Sequence, residues 1–154
     1  MAGFFGYNII SKVGGRIMAK IFVYGTLRKG MYNYDTYLKK EDTFRKYGYI
    51  KGSLYTIKGK VYPAFLLTGN DFVKGEIHEM SEETLMAVNK MEGYISDNNI
   101  DNEYDIIECD VYDENKEIID HLPVYVYNTR NPNNQKLGEL ITCLDYVEHI
   151  KTIG

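Results

Sequence analysis

The sequence predicts an α+β domain built as a small mixed β-barrel that is flanked by short helices. Short apolar runs recur along most of the chain and are separated by glycine, proline and polar turn residues, a pattern that is typical of short strands. Only one stretch carries strong helix signals. The length of 154 residues fits a single domain with its own core. Many strands with few helices favour a curled sheet with helices packed outside it.

The first predicted strand is an apolar run over residues 21–24 that ends at Gly25. Residues 104–112 show the clearest alternation, in which Ile107, Cys109 and Val111 are expected to share one face. A hairpin loop is expected after this strand, at residues 113–116. The other predicted strands cover residues 43–50, 53–57, 64–67, 72–80, 117–120 and 124–128.

The best-defined helix begins after Ser81, a good N-cap, and carries two glutamates at the positive end of its dipole. It extends to about Glu92, and Gly93 ends it. A second short helix is expected around residues 32–39. Residues 138–151 have the apolar spacing of a helix, but their β-branched side chains leave an extended conformation open.

The composition argues against several classes of function. The net charge of −4, with scattered lysines and arginines, gives no basic face for nucleic acid. Cys109 and Cys143 are too few for a disulfide framework and indicate an intracellular protein with two plain thiols. The three histidines lack the spacing of metal ligands. We therefore expect no metal, no cofactor and no nucleic-acid partner, and the sequence carries no signal for oligomeric state.

The N-terminal part of the chain is expected to lie outside the domain. Residues 1–17 contain glycines among mixed apolar residues and lack the continuous apolar region of a secretion signal. We interpret them as an N-terminal extension or a cloning remnant, with one domain over residues 18–154, and Met18 would be a natural start. No stretch approaches the roughly 18 apolar residues of a membrane-spanning helix. We expect a cytoplasmic protein with no membrane partner.

One carboxylate stands where a core residue is expected. In the predicted helix, Glu92 shares the apolar stripe of Leu85 and Val88, because a seven-residue step at roughly 100° per residue returns within about 20° of the same direction. Burial disfavours the ionised form and raises the pKa, which suits a proton carrier near neutral pH. Glu92 is therefore a candidate acid/base. The alternative is a glutamate at a helix end that bends out to solvent.

A second candidate site is the turn Tyr24-Gly25-Thr26-Leu27-Arg28, which directly follows the first predicted strand. A strand that ends at glycine and turns sharply leaves successive N–H groups unpaired and convergent, which forms a small anion-binding nest. The spacing is not that of a phosphate loop. The turn is either a place for a carboxylate or an oxyanion, or a plain turn.

Six short segments add a likeness to a known family. They are residues 22–30 with Tyr-Gly-Thr-Leu-Arg-Lys-Gly, 52–55 with Gly-Ser-Leu-Tyr, 62–64 with Tyr-Pro-Ala, 73–77 with Val-Lys-Gly-Glu-Ile, 91–94 with Met-Glu-Gly-Tyr and 124–127 with Val-Tyr-Val-Tyr. In this order they resemble the gamma-glutamylcyclotransferase-like superfamily, and most closely its gamma-glutamylamine cyclotransferase and AIG2-like branch. The resemblance covers nearly all of the chain from Ala19 to about Tyr127.

The resemblance implies a small barrel with flanking helices and a cavity between the first-strand turn and the helix that carries the glutamate. It implies that Glu92 is the catalytic acid/base and that Arg28 orders the turn. The substrate-binding residues that it implies are Tyr24, Gly25, Thr26, Leu27, Tyr94 and Tyr125.

The implied reaction is the cofactor-independent cyclisation of a small γ-glutamyl amine, or a related γ-glutamyl compound, to 5-oxoproline with release of an amine. A non-catalytic binding or regulatory protein that retains the pocket is the alternative, because Ile106 stands where the family has arginine and residues 95–103 form a longer acidic loop. A cysteine-dependent hydrolase has little support, because Cys109 is expected in the apolar face of a strand.

Overall fold

The structure, a computed structural model, describes residues 10–153 of the chain. In this range the elements in chain order are β1 (Ile10–Val13), β2 (Arg16–Val23), β3 (Phe44–Ile57), β4 (Ala64–Ser81), α1 (Glu82–Met91), β5 (Tyr104–Tyr112), β6 (Ile118–Tyr127), β7 (Leu137–Leu140) and α2 (Tyr146–Ile153). Between β2 and β3 the chain forms a π-helical turn, Tyr34–Leu38, and a 3-10 turn, Lys39–Glu41.

The strands form one sheet that closes on itself. They pair in the order β1-β2-β4-β3-β5-β6, and β7 pairs with β3. A parallel pairing between Phe22 of β2 and Val124 of β6 joins the ends of the path that runs from β2 through β4, β3 and β5 to β6. The other described pairings are antiparallel. The predicted α+β class with a curled mixed sheet is confirmed.

The predicted short strands join into longer ones. Residues 43–57, 64–80 and 117–128 each contain two predicted strands, and in the structure these are mainly β3, β4 and β6. Glycine inside a strand favours a break in a sequence-based prediction because it weakens the strand. Here the pairing of β3 with β4 continues past the glycines, with an irregularity in register after Gly52.

Gly75 shows why glycine is needed inside β4. It lies opposite Gly48 on β3, and a Cβ at this position would meet the Phe22 ring at 2.5 Å and clash with the carbonyl oxygen of Val23. The absence of a side chain therefore lets the end of β2 pack directly on the β3–β4 hairpin. This contact places the turn that follows β2.

The helix predicted after Ser81 is confirmed as α1. Ser81 caps it by accepting a hydrogen bond from Thr84 N–H at 3.3 Å. The Glu41 carboxylate accepts hydrogen bonds from Ser81 N–H at 2.9 Å and from the Thr84 hydroxyl at 2.7 Å, which fixes this end of the helix. Gly93 follows the other end with φ of +69°, a left-handed conformation that favours glycine.

The other two helix predictions are partly correct. Residues 32–39 are helical, but the described conformation is mainly π-helical from Tyr34 to Leu38 instead of α-helical. Both readings of residues 138–151 apply, because the segment begins in strand β7 and ends in helix α2.

Two apolar clusters occupy the two faces of the sheet. The first contains Ile21 and Val23 of β2 together with Leu85 and Val88 of α1. The second contains the alternate residue Phe22 of β2 with core residues of β3 to β6. Because Ile21, Phe22 and Val23 at the end of β2 are buried on both faces of the sheet, this part of the strand is a continuous apolar run.

Part of the predicted N-terminal extension belongs to a hairpin. β1 pairs with β2 in the register Ile10 with Ala19, and Ile17 packs partly against the first apolar cluster. Residues 1–9 lie outside the described residues. None of the helices described for this chain has the length and apolar character needed to cross a membrane.

Candidate active site

The turn after β2 carries N–H groups that find no acceptor within the described part of the chain. The carbonyl oxygen of Gly25 accepts a hydrogen bond from Arg28 N–H at 3.0 Å, and that of Thr26 accepts one from Tyr34 N–H at 3.1 Å. These bonds tie the turn to the π-helical segment. Among residues 10–153, the N–H groups of Gly25, Thr26 and Leu27 have no acceptor. Successive unpaired donors of this kind can receive an anion or a carbonyl oxygen.

Glu92 lies at the C-terminal end of α1. Its N–H donates to the Val88 carbonyl oxygen at 2.9 Å, so the helical turn continues through it before Gly93 ends the helix. Leu85 and Val88, which precede it by seven and four positions, are both buried. The side chain of Glu92 therefore leaves the helix on its core-facing side, as the spacing predicts.

The turn and Glu92 line the same cavity. This inner cavity lies between the end of β2, the loop before β4 and the end of α1, and its empty space of about 310 Å³ includes open solvent. It is lined by Val23, Tyr24, Gly25, Thr26, Leu27, Tyr62, Pro63, Glu92, Tyr104 and Tyr125. Six of the seven residues proposed for the site from the sequence are in this list.

Tyrosine side chains give the inner cavity a firm wall. The Tyr24 hydroxyl donates to the Tyr125 carbonyl oxygen at 2.6 Å, and the Tyr104 hydroxyl donates to the Pro63 carbonyl oxygen at 2.6 Å. The Tyr125 hydroxyl donates to the side-chain carbonyl of Asn89 on α1. Because each ring is fixed at its hydroxyl, the cavity has a defined shape before any ligand enters.

The carboxyl group of Glu92 is electrostatically unusual. Glu92 is half-buried and lines the cavity. Burial, and to a lesser extent the negative charge of Glu103, raise the pKa of Glu92 to about 8. Burial also raises the pKa values of Tyr24 and Tyr104 well above the ordinary value, so both phenols stay neutral beside it. Glu92 can therefore exchange a proton near neutral pH.

A buried ionic network fixes the turn after β2. Arg28 is 3% exposed; its Nε donates to Glu76 at 2.9 Å and its Nη1 to Asp145 at 2.7 Å. The same Glu76 accepts the backbone N–H of Lys29 at 2.8 Å. Arg28 does not line the inner cavity. Its side chain instead ties the turn to β4 and to the segment before α2, as expected from the sequence.

His78 completes this network. Its Nε2 lies 2.9 Å from Glu76 and its Nδ1 lies 2.6 Å from the Thr43 hydroxyl. Burial on its own would raise the pKa of Glu76, but hydrogen bonds from His78, Lys29 N–H and Arg28 outweigh it and hold that pKa below the ordinary value. Since an ionised carboxylate only accepts hydrogen bonds, the network assigns the proton of the imidazole to Nε2.

Tyr94 is the proposed site residue that the structure does not bring to the inner cavity. It lines a separate hollow with Asp97, Asn98 and the residues 105–108, and its hydroxyl donates to Asp97. The chain turns away from the cavity at Gly93, which explains why Glu92 and Tyr94 point to different places although they are close in sequence.

Four cavity residues have no role in the sequence-based prediction. Val23, Tyr62 and Pro63 belong to two of the six family-like segments, which is the signal that the sequence offers for them. Tyr104 begins β5, lies outside the six segments and reads as an ordinary strand residue. Its position depends on the register of β5 with β6, where it lies opposite Tyr127.

The features that favoured other functions do not line the inner cavity. Ile106 packs partly against the first apolar cluster. The loop before β5 is braced by Asn102, whose side chain accepts the N–H of Ile95 at 2.7 Å. Burial, followed by the charge of Asp110, raises the pKa of the half-buried Cys109 thiol to about 11. A thiol held in its neutral form is a poor nucleophile, which disfavours a cysteine-dependent hydrolase.

Comparison with known sequences gives a family match over most of the chain. Residues 21–148 match the family model described as Gamma-glutamyl cyclotransferase, AIG2-like. The chain is 42% identical over 116 residues to the gamma-L-glutamyl-butirosin B gamma-glutamyl cyclotransferase of Niallia circulans, covering 74% of this chain and 70% of that protein. It is 32% identical over 84 residues to a putative gamma-glutamylcyclotransferase of Methanocaldococcus jannaschii, covering 50% of this chain and 63% of that protein.

Comparison with solved structures gives the same fold. An uncharacterised protein of Pyrococcus horikoshii superimposes with a TM-score of 0.60 at 25% identity, covering 87% of this chain and 94% of that one. An AIG2-like protein of Mus musculus superimposes with a TM-score of 0.55 at 25% identity, covering 84% of this chain and 95% of that one.

Proposed function

This chain belongs to the gamma-glutamyl cyclotransferase, AIG2-like family, and from that premise we propose that it cyclises the γ-glutamyl group of a γ-glutamyl amine to 5-oxoproline and releases the amine. The observation that carries this proposal is that Glu92 and the turn after β2 line one cavity, and that the N–H groups of this turn have no acceptor among residues 10–153.

Substrate positioning is assigned to the turn. The N–H groups of Gly25, Thr26 and Leu27 would receive oxygen atoms of the γ-glutamyl part, and the tyrosine walls would hold its chain folded. In that folded form the α-amine lies next to the γ-carbonyl carbon of the same molecule. Well-oriented intramolecular reactions reach effective molarities of about 10⁵–10⁸ M, so positioning supplies much of the rate.

Glu92 is assigned the proton transfers. The α-ammonium gives up a proton, its nitrogen attacks the γ-carbonyl carbon, and a C–N bond closes the five-membered ring. The bond from that carbon to the leaving nitrogen then breaks. Two protons pass in total from the attacking nitrogen to the leaving nitrogen, and no water or cofactor is consumed. A carboxyl group with a pKa of about 8 can accept and return a proton in such a sequence.

The relative from Niallia circulans bears on the substrate class. Its name describes action on gamma-L-glutamyl-butirosin B, which is a γ-glutamyl compound. We therefore extend the proposed substrate class of this chain to γ-glutamyl compounds in general, with Tyr24 and Tyr125 as walls of the γ-glutamyl subsite. Tyr94 has no place in this proposal because it lies outside the inner cavity.

The decisive experiment compares the unchanged protein with Glu92→Gln. Both are incubated with γ-glutamyl amines, including a γ-glutamyl-lysine isopeptide, and the formation of 5-oxoproline is measured. Because glutamine keeps the shape but cannot carry the proton, turnover is expected to fall by at least about 100-fold, while substrate binding and the fold are retained.

Glu83→Gln is the matched control. It makes the same chemical change on the same helix, at an exposed position outside the cavity, and should leave turnover unchanged. If Glu92→Gln turned over substrate as fast as this control, Glu92 would not be the acid/base. If the unchanged protein formed no 5-oxoproline from any of these compounds, the proposed reaction would be wrong.

A further inference from the structure

A second hollow opens directly beside the inner cavity. We refer to it as the outer hollow, and its empty space of about 510 Å³ includes open solvent. It shares four wall residues with the inner cavity and adds four others; its lining is Thr26, Tyr32, Asn33, Tyr62, Met91, Glu92, Glu103 and Tyr104. Glu92 therefore stands at the boundary between the two spaces. A substrate whose scissile bond lies at Glu92 and whose γ-glutamyl part fills the inner cavity would extend its leaving group into the outer hollow.

The carboxylate of Glu103 is held in a fixed position at this hollow. The Tyr62 hydroxyl donates to its Oε2 at 2.6 Å. The backbone N–H of Glu103 donates to the Gly93 carbonyl oxygen at 3.0 Å, and its carbonyl oxygen accepts from Asn128 N–H at 3.0 Å. The bond to Gly93 sets Glu103 relative to the end of α1, one residue beyond Glu92. The position of Glu103 is therefore tied to the position of the proposed acid/base.

One oxygen of this carboxylate has no protein donor in the described part of the chain. Glu103 lines the hollow, and no described residue donates a hydrogen bond to its Oε1. The rings of Tyr32 and Tyr62 and the thioether of Met91 also line the hollow. Aromatic faces attract cations, and a carboxylate accepts charge-assisted hydrogen bonds from an ammonium group.

Among the described residues, no lysine, arginine or histidine lines the outer hollow. The Nζ of Lys60 lies 5.9 Å from the centre of the Tyr62 ring without forming part of the lining. A leaving group with a carboxylate would meet Glu103 and Glu92 without a compensating positive charge, and a neutral alkyl group would leave Glu103 Oε1 without a partner.

Resting on the proposed function, we propose that the outer hollow binds the leaving amine and that Glu103 selects leaving groups that carry a second, positively charged ammonium. The substrate class is then the γ-glutamyl derivative of a diamine or a larger polyamino compound. Tyr62 acts as a positioning residue, because its hydroxyl orients the Glu103 carboxylate.

The test compares two γ-glutamyl amines of the same length. One is the γ-glutamyl derivative of 1,5-diaminopentane, which keeps a free terminal ammonium, and the other is the γ-glutamyl derivative of pentylamine. We expect kcat/KM for the diamine derivative to exceed that for the pentylamine derivative by at least about tenfold, the equivalent of one charge-assisted hydrogen bond. The preference should decline as NaCl is raised, because salt screens the charge pair.

Glu103→Gln is expected to reduce this ratio to within about threefold of one. The ratio is used because Glu103 also affects the proton affinity of Glu92, an effect that both substrates share at one pH and that cancels. Glu114→Gln is the matched control: it removes the same charge at an exposed site in the β5–β6 hairpin, about 30 Å along β5 from Glu103, and should keep the preference.

The outcomes separate the two proposals. If neither substrate yields 5-oxoproline, the proposed function is wrong. If both are cyclised with equal kcat/KM, or if Glu103→Gln keeps the preference, the function stands and the selection by Glu103 is wrong. If Glu103→Gln does not fold, the unchanged protein still decides the question, because a preference that is absent or insensitive to salt contradicts the inference.

Discussion

At the scale of single residues, burial gives two glutamates opposite properties. Glu92 borders the inner cavity, and no described residue donates a hydrogen bond to its carboxyl group, so burial raises its pKa to about 8. Glu76 is also buried, but three hydrogen-bonding neighbours stabilise its charge and hold its pKa below the ordinary value. The first arrangement suits a group that must change protonation state, and the second suits a permanent structural anion.

The raised pKa of Glu92 predicts that this residue costs stability at alkaline pH. Between the ordinary pKa of 4.5 and about 8, the folded protein holds a proton on Glu92 that the unfolded chain has released. The free energy of unfolding therefore falls as pH rises through this window. Glu92→Gln should remove the penalty and exceed the unchanged protein in stability by roughly 2–4 kcal/mol at pH 9, at about 1.36 kcal/mol per pKa unit.

Urea denaturation of both proteins at several pH values measures this difference. The gain should shrink to less than about 1 kcal/mol at pH 4, where both states hold the proton. If the gain in stability did not change with pH, the pKa of Glu92 would be the same in the folded and unfolded states and would not be raised.

At the scale of secondary-structure elements, the site depends on how three connections are fixed. The turn after β2 is held by Arg28 to Glu76 of β4 and to Asp145 before α2. The end of α1 is held to the start of β5 by the hydrogen bond between Glu103 N–H and the Gly93 carbonyl oxygen. Glycine at position 75 allows β2 to approach β4 closely enough for these contacts.

Arg28→Ala should therefore be strongly destabilising. It leaves the Glu76 carboxylate buried with one charged partner fewer, and breaking a buried pair in this way costs about 3–5 kcal/mol. Arg45→Ala is the matched control. Arg45 pairs at 3.3 Å with Glu79, which lies on β4 like Glu76 but near the surface, where an ion pair contributes at most about 1 kcal/mol.

Urea denaturation at pH 7 measures both variants. A similar loss in the two proteins would contradict the role assigned to the buried network. Since the pKa of Glu76 is lowered, its contribution to stability should be present above pH 4.5 and should be lost as pH falls through the lower pKa of the folded state.

At the scale of the whole molecule, closure of the sheet brings the site together. The pairing of Phe22 with Val124 sets β2 beside β6, and Tyr125 of β6 thereby reaches the cavity formed by the turn after β2. Tyr104 arrives by the pairing of β5 with β6. The cavity walls come from positions between 23 and 125 of the chain, so no single segment contains the site.

The sheet also predicts where the domain can be shortened. A chain that begins at Met18 keeps the register of β2 with β4 from Met18 opposite Ser81, and loses β1 and the partial burial of Ile17. It should unfold cooperatively with a loss of about 1–2 kcal/mol and retain turnover. Thermal denaturation and 5-oxoproline formation measure both.

A chain that begins at Gly25 is the contrasting variant. It lacks all of β2, whose end is buried on both faces of the sheet, and should not fold. If the chain that begins at Met18 also failed to fold, residues 1–17 would belong to the domain and the boundary predicted from the sequence would be wrong.

Local chemistry along the chain was sufficient to predict the helix that ends at Gly93 and to single out Glu92 and the turn 24–27 as candidates, which the structure places on one cavity. Helical periodicity, capping residues and the unpaired amides of a turn depend on neighbouring residues only, and they can be read in order. The tertiary structure alone showed that Tyr62, Pro63 and Tyr104 complete the inner cavity and that Tyr94 does not. It also revealed the outer hollow beside Glu103. These facts depend on strand register and sheet closure, which are set by pairings between residues far apart in the chain and leave no local pattern.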